Sequence, residues 1–399
     1  MQRSVFRVAF LAFLASAAPK IWAQAPGGSK PASSNVRNAE YPLVSPDGRV
    51  TFRVRAPTAQ KVEILPLIGL RANGLGKGAY EMTRDSEGFW SVTTPPAVPG
   101  LHYYSLVIDG VSVADPSSET FYGANHEMSA IEIPEPGVDF YLPKDVPHGQ
   151  LRIFWYLSKV TGEWRRVFVY TPPGYDIHPR QRYPVLYLQH GGGENETGWP
   201  KQGHVNFILD NLIAAGKASP MIVAMGSGYA VRAGEAPSPV VPASPGRPSQ
   251  EVSEAVEEVT VKELIPAVDA GFRTIADRSH RAMAGLSMGS VQTLSIGLHH
   301  LDTFSALGVL SRPPVEDFNP GTAYGGVMAD AASFNKRLHL FWWSAGTAEE
   351  GIDTSVKATT AAFDKAGIHY TFVEYPGLSH EWQTWRKSLY DFAPRLFQW

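Results

Sequence analysis

The sequence sets a serine between two glycines in Gly285-Leu286-Ser287-Met288-Gly289, a carboxylate at Glu349 and a histidine at His380. A serine hydroxyl is a weak nucleophile at neutral pH. It becomes effective when an imidazole takes its proton during attack and a carboxylate holds that imidazole in the right tautomer. The chemistry open to such a set is acyl transfer, beginning with attack on an ester carbonyl. The tetrahedral intermediate then needs N–H donors for its oxyanion. One candidate is the backbone N–H of Met288, directly after the serine. The other comes from the run His190-Gly191-Gly192-Gly193, with Gly192 as the candidate donor. The Gly-x-Ser-x-Gly pattern alone is a weak signal. With 37 Gly among 399 residues, about 0.25 matches arise by chance in a chain this long. Its weight depends on whether the other groups fall where the serine needs them.

The surrounding pattern puts them there. Tyr183–Gln189, Met221–Met225 and Leu338–Trp343 are nearly continuous apolar runs, the mark of strands buried on both faces, and Phe304–Leu310 and Tyr370–Tyr375 read as further strands. Helical spacing recurs at Phe207–Gly216, Val252–Phe272, Ser290–His300, Ser355–Ala366 and Trp385–Phe397. Strand and helix thus alternate from 183 to 397. This predicts an α/β fold with a mostly parallel sheet covered on both faces. An antiparallel hairpin, Leu151–Leu157 with Trp164–Tyr170, leads into it. The glycine run, Ser287, Glu349 and His380 all follow strands, at the carboxyl ends where such sheets bind ligands. Ser287 falls at a strand–turn–helix corner, and the chain order is serine, acid, histidine. Glu254, Glu257, Glu258 and Glu263 on the long helix are expected to face solvent. Residues 226–250, rich in proline and glycine, are expected to form a loop beside the cleft.

Residues 41–134 read differently. Short alternating strands such as Val50–Val54, Lys61–Leu65, Phe89–Val92 and His102–Ile108 are separated by turn signals, which predicts a small β-sandwich. Through Arg55-Ala56-Pro57, Gly88-Phe89-Trp90, Tyr103 to Gly110 and Asp115-Pro116 it resembles the immunoglobulin-like modules that precede catalytic domains in starch- and glycogen-active enzymes and in some carbohydrate esterases. Trp90, the only tryptophan of this region, sits in a strand pattern and is expected in the core. Residues 26–40 read as a flexible lead-in and 135–147 as a proline-rich linker, so the second domain is expected to span 148–399. Arg3 and Arg7, the apolar stretch Val8–Ala18 and the small residues Ala23-Gln24-Ala25 have the form of an export signal over residues 1–25. A periplasmic or secreted protein is expected, and the stretch is too short to span a bilayer.

Composition narrows the function. Cysteine is absent, which excludes a disulfide framework, a cysteine nucleophile and thiolate metal sites. The net charge is −3 without basic blocks, so nucleic acid is not an expected partner. No metal-ligand cluster or cofactor fingerprint stands in the sequence, and neither a metal, a cofactor nor a membrane is expected.

Across most of 148–399 the chain resembles the esterase-D-like α/β-hydrolases, which include feruloyl esterases, acetylxylan esterases and enterochelin-esterase-like proteins. The matching pieces are Tyr170-Thr171-Pro172-Pro173-Gly174-Tyr175, the loop His190 to Trp199, Arg281 to Gly289, Gly346-Thr347 and His380-Glu381-Trp382-Gln383-Thr384-Trp385. Together with the N-terminal module, the chain is most similar to two-domain feruloyl-esterase-type carbohydrate esterases. The resemblance implies hydrolysis of esters on plant cell-wall xylan. It departs from the family at two places. Glu349 stands where Asp is common, and Glu350 or Asp353 could serve instead. Ser290 stands where a further glycine is usual. Trp199 and Trp382, with Trp385, are candidates to pack an aromatic acyl group, with core packing the commoner place for any single tryptophan, and His190 is expected to brace the glycine loop. An acetylxylan or enterochelin-type esterase is the alternative within the same chemistry. A non-catalytic carbohydrate-binding protein on a hydrolase scaffold is the alternative from another class.

Overall fold

The computed structural model describes residues 26–67, 74–236, 254–312 and 318–399. The expected export signal and most of the expected loop over 226–250 lie outside the described residues.

The C-terminal half is built on an eight-stranded sheet. Its strands in chain order are β1 (Gln150–Leu157), β2 (Trp164–Thr171), β3 (Val185–Gln189), β4 (Ile222–Gly226), β5 (Arg281–Leu286), β6 (Ala306–Leu310), β7 (Leu340–Gly346) and β8 (Thr371–Tyr375). The spatial order is β1-β2-β4-β3-β5-β6-β7-β8. The first two pairings along the sheet, β1 with β2 and β2 with β4, are antiparallel, and the rest are parallel. This is the mostly parallel α/β sheet that the alternation predicts, in the α/β-hydrolase fold that the resemblance implies. Strands β3 to β6 are buried at every residue, because helices cover both faces. A strand with no solvent face has no polar positions to alternate, hence the continuous apolar runs.

The long helix runs Glu254–Glu258, widens to π geometry over Val259–Leu264 and continues as Ile265–Gly271. The wide turn directly precedes Pro266, which has no N–H to return to the preceding turn. The expected solvated acidic face is corrected in part. Glu263 accepts hydrogen bonds from Ser158 Oγ and from the backbone N–H groups of Lys159 and Val160, at 2.5, 2.7 and 3.0 Å. It thereby fastens the β1–β2 turn. Glu257 accepts from His300 Nε2 at 2.9 Å.

The N-terminal half consists of two antiparallel sheets. One is ordered Lys30–Pro31, Leu43–Val44, Val50–Arg55, Phe89–Thr93, Thr83–Arg84. The other is ordered Thr120–Gly123, His126–Ile133, Gly100–Ile108, Val62–Pro66, Tyr80–Glu81, with Val111–Val113 paired to Gly100–Ile108. Val50, Phe52, Ile64, Tyr104, Leu106 and Ile131 share one buried cluster between them. Trp90 belongs to it, with its Nε1–H donated to the Ala56 carbonyl at 2.9 Å. Residues 26–40 are not a free lead-in. Lys30–Pro31 pairs with Leu43–Val44, Val36 N–H reaches Ser117 O at 2.9 Å, and Ser34 O accepts from Glu119 N–H at 2.7 Å. Backbone pairing holds a segment whose composition alone suggests a coil.

The two halves share buried surface. Successive side chains on a strand point to opposite faces, and two strands of the second sheet use both. In Gly100–Ile108, Tyr104 and Leu106 face the sandwich core, while Leu101 and Tyr103 join the cluster that contains Trp199, Val205 and Trp385. In His126–Ile133, Ile131 and Ile133 face inward, while Glu132 faces the helix Trp382–Phe392. There Arg386 meets Glu132 in a buried bidentate pair at 2.9 and 3.0 Å. Burial works to raise the Glu132 carboxyl, and the Arg386 guanidinium outweighs it, leaving the group below its ordinary value. Removing one partner of such a pair strands the other charge.

Truncating Trp90 to Ala empties part of the sandwich core and leaves the Ala56 carbonyl without its donor. A cost of about 3–5 kcal/mol is expected, measured by urea unfolding. An unchanged midpoint would mean that the ring adds nothing to that core.

Candidate active site

Ser287 occupies the turn between β5 and the helix Met288–His299, with φ 50° and ψ −115°. This left-handed backbone is costly for a residue with a Cβ, by about 1–3 kcal/mol. The flanking glycines make the turn possible. A Cβ on Gly289 would stand 2.6 Å from the His190 carbonyl oxygen, and a Cβ on Gly285 would run into the Gly289 carbonyl. The helix therefore presses against the end of β3, and the serine is lifted to the carboxyl edge of the sheet.

His380 follows β8, and Glu349 follows β7. Ser287 Oγ lies 2.9 Å from His380 Nε2, and His380 Nδ1 lies 2.7 Å from Glu349 Oε2. The hydroxyl donates to Nε2, and Nδ1–H donates to the carboxylate. Glu349 is 1% exposed. Its other oxygen accepts from Ser311 Oγ at 2.8 Å and from Gly346 N–H at 2.7 Å. Both oxygens are thus committed, and the carboxylate is fixed in the plane that the imidazole needs. Of the three acids open in the sequence, the structure brings Glu349 to the histidine. Glu350 is exposed, and Asp353 pairs with Lys357 at 2.9 Å.

The loop after β3 is pinned at nearly every polar group. His190, almost fully buried, donates from Nδ1 to Gly191 O at 2.8 Å and accepts Gly228 N–H at Nε2 at 2.9 Å. One donor and one acceptor require the neutral ring, and burial lowers its pKa accordingly. Gly191 N–H donates to Glu194 Oε2 at 3.0 Å, and Gly193 N–H donates to the Tyr229 hydroxyl at 2.7 Å. Among the described residues this leaves Gly192, exposed and between them, as the glycine whose N–H is not so engaged. A Cβ on Gly192 would lie 3.9 Å from Met288 Cβ, so the two candidate donors are neighbours. The Met288 N–H is the first of its helix and has no helical carbonyl to bond. Two free N–H groups beside a serine–imidazole–carboxylate chain can stabilise a negative oxygen formed on a carbon attacked by Ser287.

Trp199 and Trp382 correct an expectation. Each is 1% exposed, so neither presents a face to a ligand. Trp199 donates from Nε1 to Gln189 O at 2.9 Å. Its ring meets Trp382 edge to face at 5.4 Å, Trp382 meets Trp385 at 5.3 Å, and Trp385 meets the His380 imidazole at 5.0 Å. The three rings form a packed support behind the histidine. Indoles adjoining a site can turn either way, and here the contact between the two halves of the protein draws them inward.

The sequence reading gave no role to Glu194, Tyr229 or Ser311. Tyr229 and Ser311 lie in segments whose pairing is set by the fold and have no local signature. Glu194 had one: a carboxylate directly after three glycines at the end of a buried strand is a costly residue to bury without purpose. Burial pushes its carboxyl up to about 7.

A family model, Esterase, matches residues 158–396. The chain is 38% identical over 375 residues to an endo-1,4-beta-xylanase/feruloyl esterase of Xylanibacter ruminicola, covering 92% of this chain and 47% of the relative. The match must therefore take in most of the N-terminal sheets. Among solved structures, a ferulic acid esterase from Anaeromyces mucronatus in complex with ferulic acid has a TM-score of 0.54 at 23% identity, covering 65% of this chain and 96% of that one. The enterobactin esterase of Shigella flexneri has a TM-score of 0.60 at 16% identity, covering 88% and 93%. At such identities these likenesses show the fold. The chain spans about half or less of the length of the curated relatives it matches.

Two outcomes follow from the site geometry. Replacing Glu349 by Gln keeps its size but puts an amide where two acceptors are needed, so the imidazole loses its fixed tautomer. Turnover of p-nitrophenyl acetate should fall by about 10³–10⁴-fold with an unchanged circular dichroism spectrum. Retained turnover would remove Glu349 from the relay. The second concerns Glu194. The folded protein holds its proton up to about pH 7, against an ordinary value of 4.5. The folded state therefore binds more protons than the unfolded chain in that window, and stability falls as pH rises through it. The span is roughly 3 kcal/mol. Glu194→Gln carries no charge, so its stability relative to wild type should rise by roughly that amount from pH 4.5 to 7. Parallel urea midpoints across the window would contradict this.

Proposed function

The chain belongs to the Esterase family, and we propose that it is a secreted serine carboxylic-ester hydrolase that releases ferulate from plant cell-wall carbohydrate. The reading is carried by one observation, the unbroken run from Ser287 Oγ through His380 to Glu349 beside two unengaged backbone N–H groups. In this reading Ser287 Oγ bonds to the ester carbonyl carbon as its proton passes to His380 Nε2. The carbonyl oxygen becomes an oxyanion held by the N–H groups of Gly192 and Met288. The intermediate collapses, the C–O bond to the sugar breaks, and His380 returns the proton to the leaving alcohol. Water, deprotonated by the same histidine, then attacks the acyl-serine, and ferulic acid leaves with Ser287 restored.

The substrate class is supported by the name of the Xylanibacter ruminicola relative, endo-1,4-beta-xylanase/feruloyl esterase. With Trp199 and Trp382 buried, the aromatic acyl ring must find another surface. Tyr229 is partly exposed and is bonded to Gly193, which offers such a face beside the glycine loop. Export is supported by the basic start and short apolar core of residues 1–25.

The test compares wild type with Ser287→Ala on methyl ferulate and on acetylated xylan. Ferulate release that falls at least about 10⁴-fold in the variant is expected. Acetate release alone would move the assignment to acetylxylan esterase. Inert wild-type protein, with p-nitrophenyl acetate also untouched, would bring forward a carbohydrate-binding role on a hydrolase scaffold.

A further inference from the structure

Tyr103 belongs to the sandwich strand Gly100–Ile108, yet its hydroxyl is bonded to three residues of the other half of the protein. Gln202 Nε2 donates to it at 2.9 Å, Trp382 Nε1 donates to it at 3.1 Å, and it donates to Glu194 Oε1 at 3.3 Å. A phenol oxygen has two lone pairs and one proton. An indole N–H and an amide NH₂ can only donate, and a carboxylate accepts, so each partner takes the one sense open to it. These partners sit on the two segments that matter for the reaction. Glu194 is in the glycine loop, and its second oxygen holds Gly191 N–H at 3.0 Å. Trp382 stands two residues after His380. One hydroxyl from the sandwich thus links the loop with the candidate oxyanion donor to the segment with the candidate base.

The sandwich grips both segments a second time. Asn125 N–H, at the turn between Thr120–Gly123 and His126–Ile133, donates to Gly193 O at 2.8 Å. Glu381, next to His380, accepts Gly74 N–H at 3.0 Å and lies 3.4 Å from His102 Nδ1.

We propose that Tyr103 is a positioning residue for the hydrolytic reaction, setting the distance between the Gly191–Gly193 loop and His380 through Glu194 and Trp382. The sandwich is then part of the apparatus that positions the reacting groups. The proposal rests on the hydrolytic reading of Ser287, Glu349 and His380. The relay demands two acceptor oxygens at position 194, one for Gly191 N–H and one for the Tyr103 hydroxyl, and is therefore complete in the ionised form of Glu194, above about pH 7. An amide supplies one acceptor and one donor, and the donor would face a hydroxyl whose lone pairs are both taken.

The experiment uses the full chain with Tyr103→Phe, Glu194→Gln and the double variant, assayed on p-nitrophenyl acetate and methyl ferulate at about pH 8, where Glu194 is ionised, with the folded fraction of each set by thermal unfolding. Displacing a reacting group by about 1 Å costs on the order of 10²-fold. Each single variant should lower kcat by about 10–100-fold with KM within about threefold. The double variant should lose no more than the larger single one, because both cut the same link. A folded Tyr103→Phe protein with wild-type kcat overturns the proposal. So do losses that multiply in the double variant, a change confined to KM, or a loss that matches the unfolded fraction. If Tyr103→Phe does not fold, Glu194→Gln decides, since it lies outside the sandwich. Wild-type protein that turns over neither substrate overturns the hydrolytic reading itself, and the positioning role with it. Active wild type with unaffected variants overturns the positioning role alone.

Discussion

The site depends on how closely the helix Met288–His299 approaches the end of β3. Gly289 lies so near His190 that no side chain fits between them, and Gly285 closes the turn from below. Three consequences come from this one contact. Ser287 is forced into a left-handed backbone that exposes its hydroxyl at the sheet edge. The first N–H of the helix, on Met288, is set beside the glycine loop. The loop itself is held down, because the His190 carbonyl that faces Gly289 belongs to the residue whose ring also spans Gly191 and Gly228. A helix standing even one methyl group further out would separate Ser287 and the Met288 N–H from the glycine loop.

Two buried carboxylates then divide the work of orientation, and each is held by its own set of donors. Glu349 accepts from an imidazole, a hydroxyl and a backbone N–H. Glu194 accepts from one backbone N–H and, at a longer 3.3 Å, from a phenol. Fewer and longer hydrogen bonds offset less of the cost of burying a charge. Burial accordingly pushes the Glu194 carboxyl up to about 7. A protein that keeps such a group inside a loop of small residues gains a rigid anchor there at some cost in stability.

Much of this was legible in the sequence, for physical reasons that can be named. Parallel strands buried on both faces are largely apolar, so β3, β4 and β7 stand out as runs, and the strand ends mark the edge where Ser287, Glu349 and His380 gather. The strained turn admits only glycine on either side, which fixes Ser287 from local pattern. What was not legible is what depends on contacts distant in the chain. Tyr103 and Glu194 are 91 residues apart, and neither strand alternation nor loop composition encodes that they meet. Trp199 and Trp382 misled because an aromatic residue near a site carries no sign of which way it faces. The acidic residues of the long helix misled similarly: Glu263 has the spacing of a solvated position and the bonds of a cap.

The strand Gly100–Ile108 shows how the second half of the protein came to be involved. Its sequence, Gly-Leu-His-Tyr-Tyr-Ser-Leu-Val-Ile, places large groups on both faces, where a strand at the surface of a sandwich would keep one face polar. Tyr104 and Leu106 serve the sandwich, and Leu101 and Tyr103 serve the boundary with the main sheet. The neighbouring strand repeats the division, with Ile131 and Ile133 inward and Glu132 outward to Arg386. A flexibly tethered module needs neither a buried ion pair nor a buried hydroxyl at its boundary, since both are costly to desolvate unless their partners are held in place. Their presence here argues that the boundary is a fixed internal surface, and that the residues on it are constrained by the geometry of the site as much as by the stability of the sandwich.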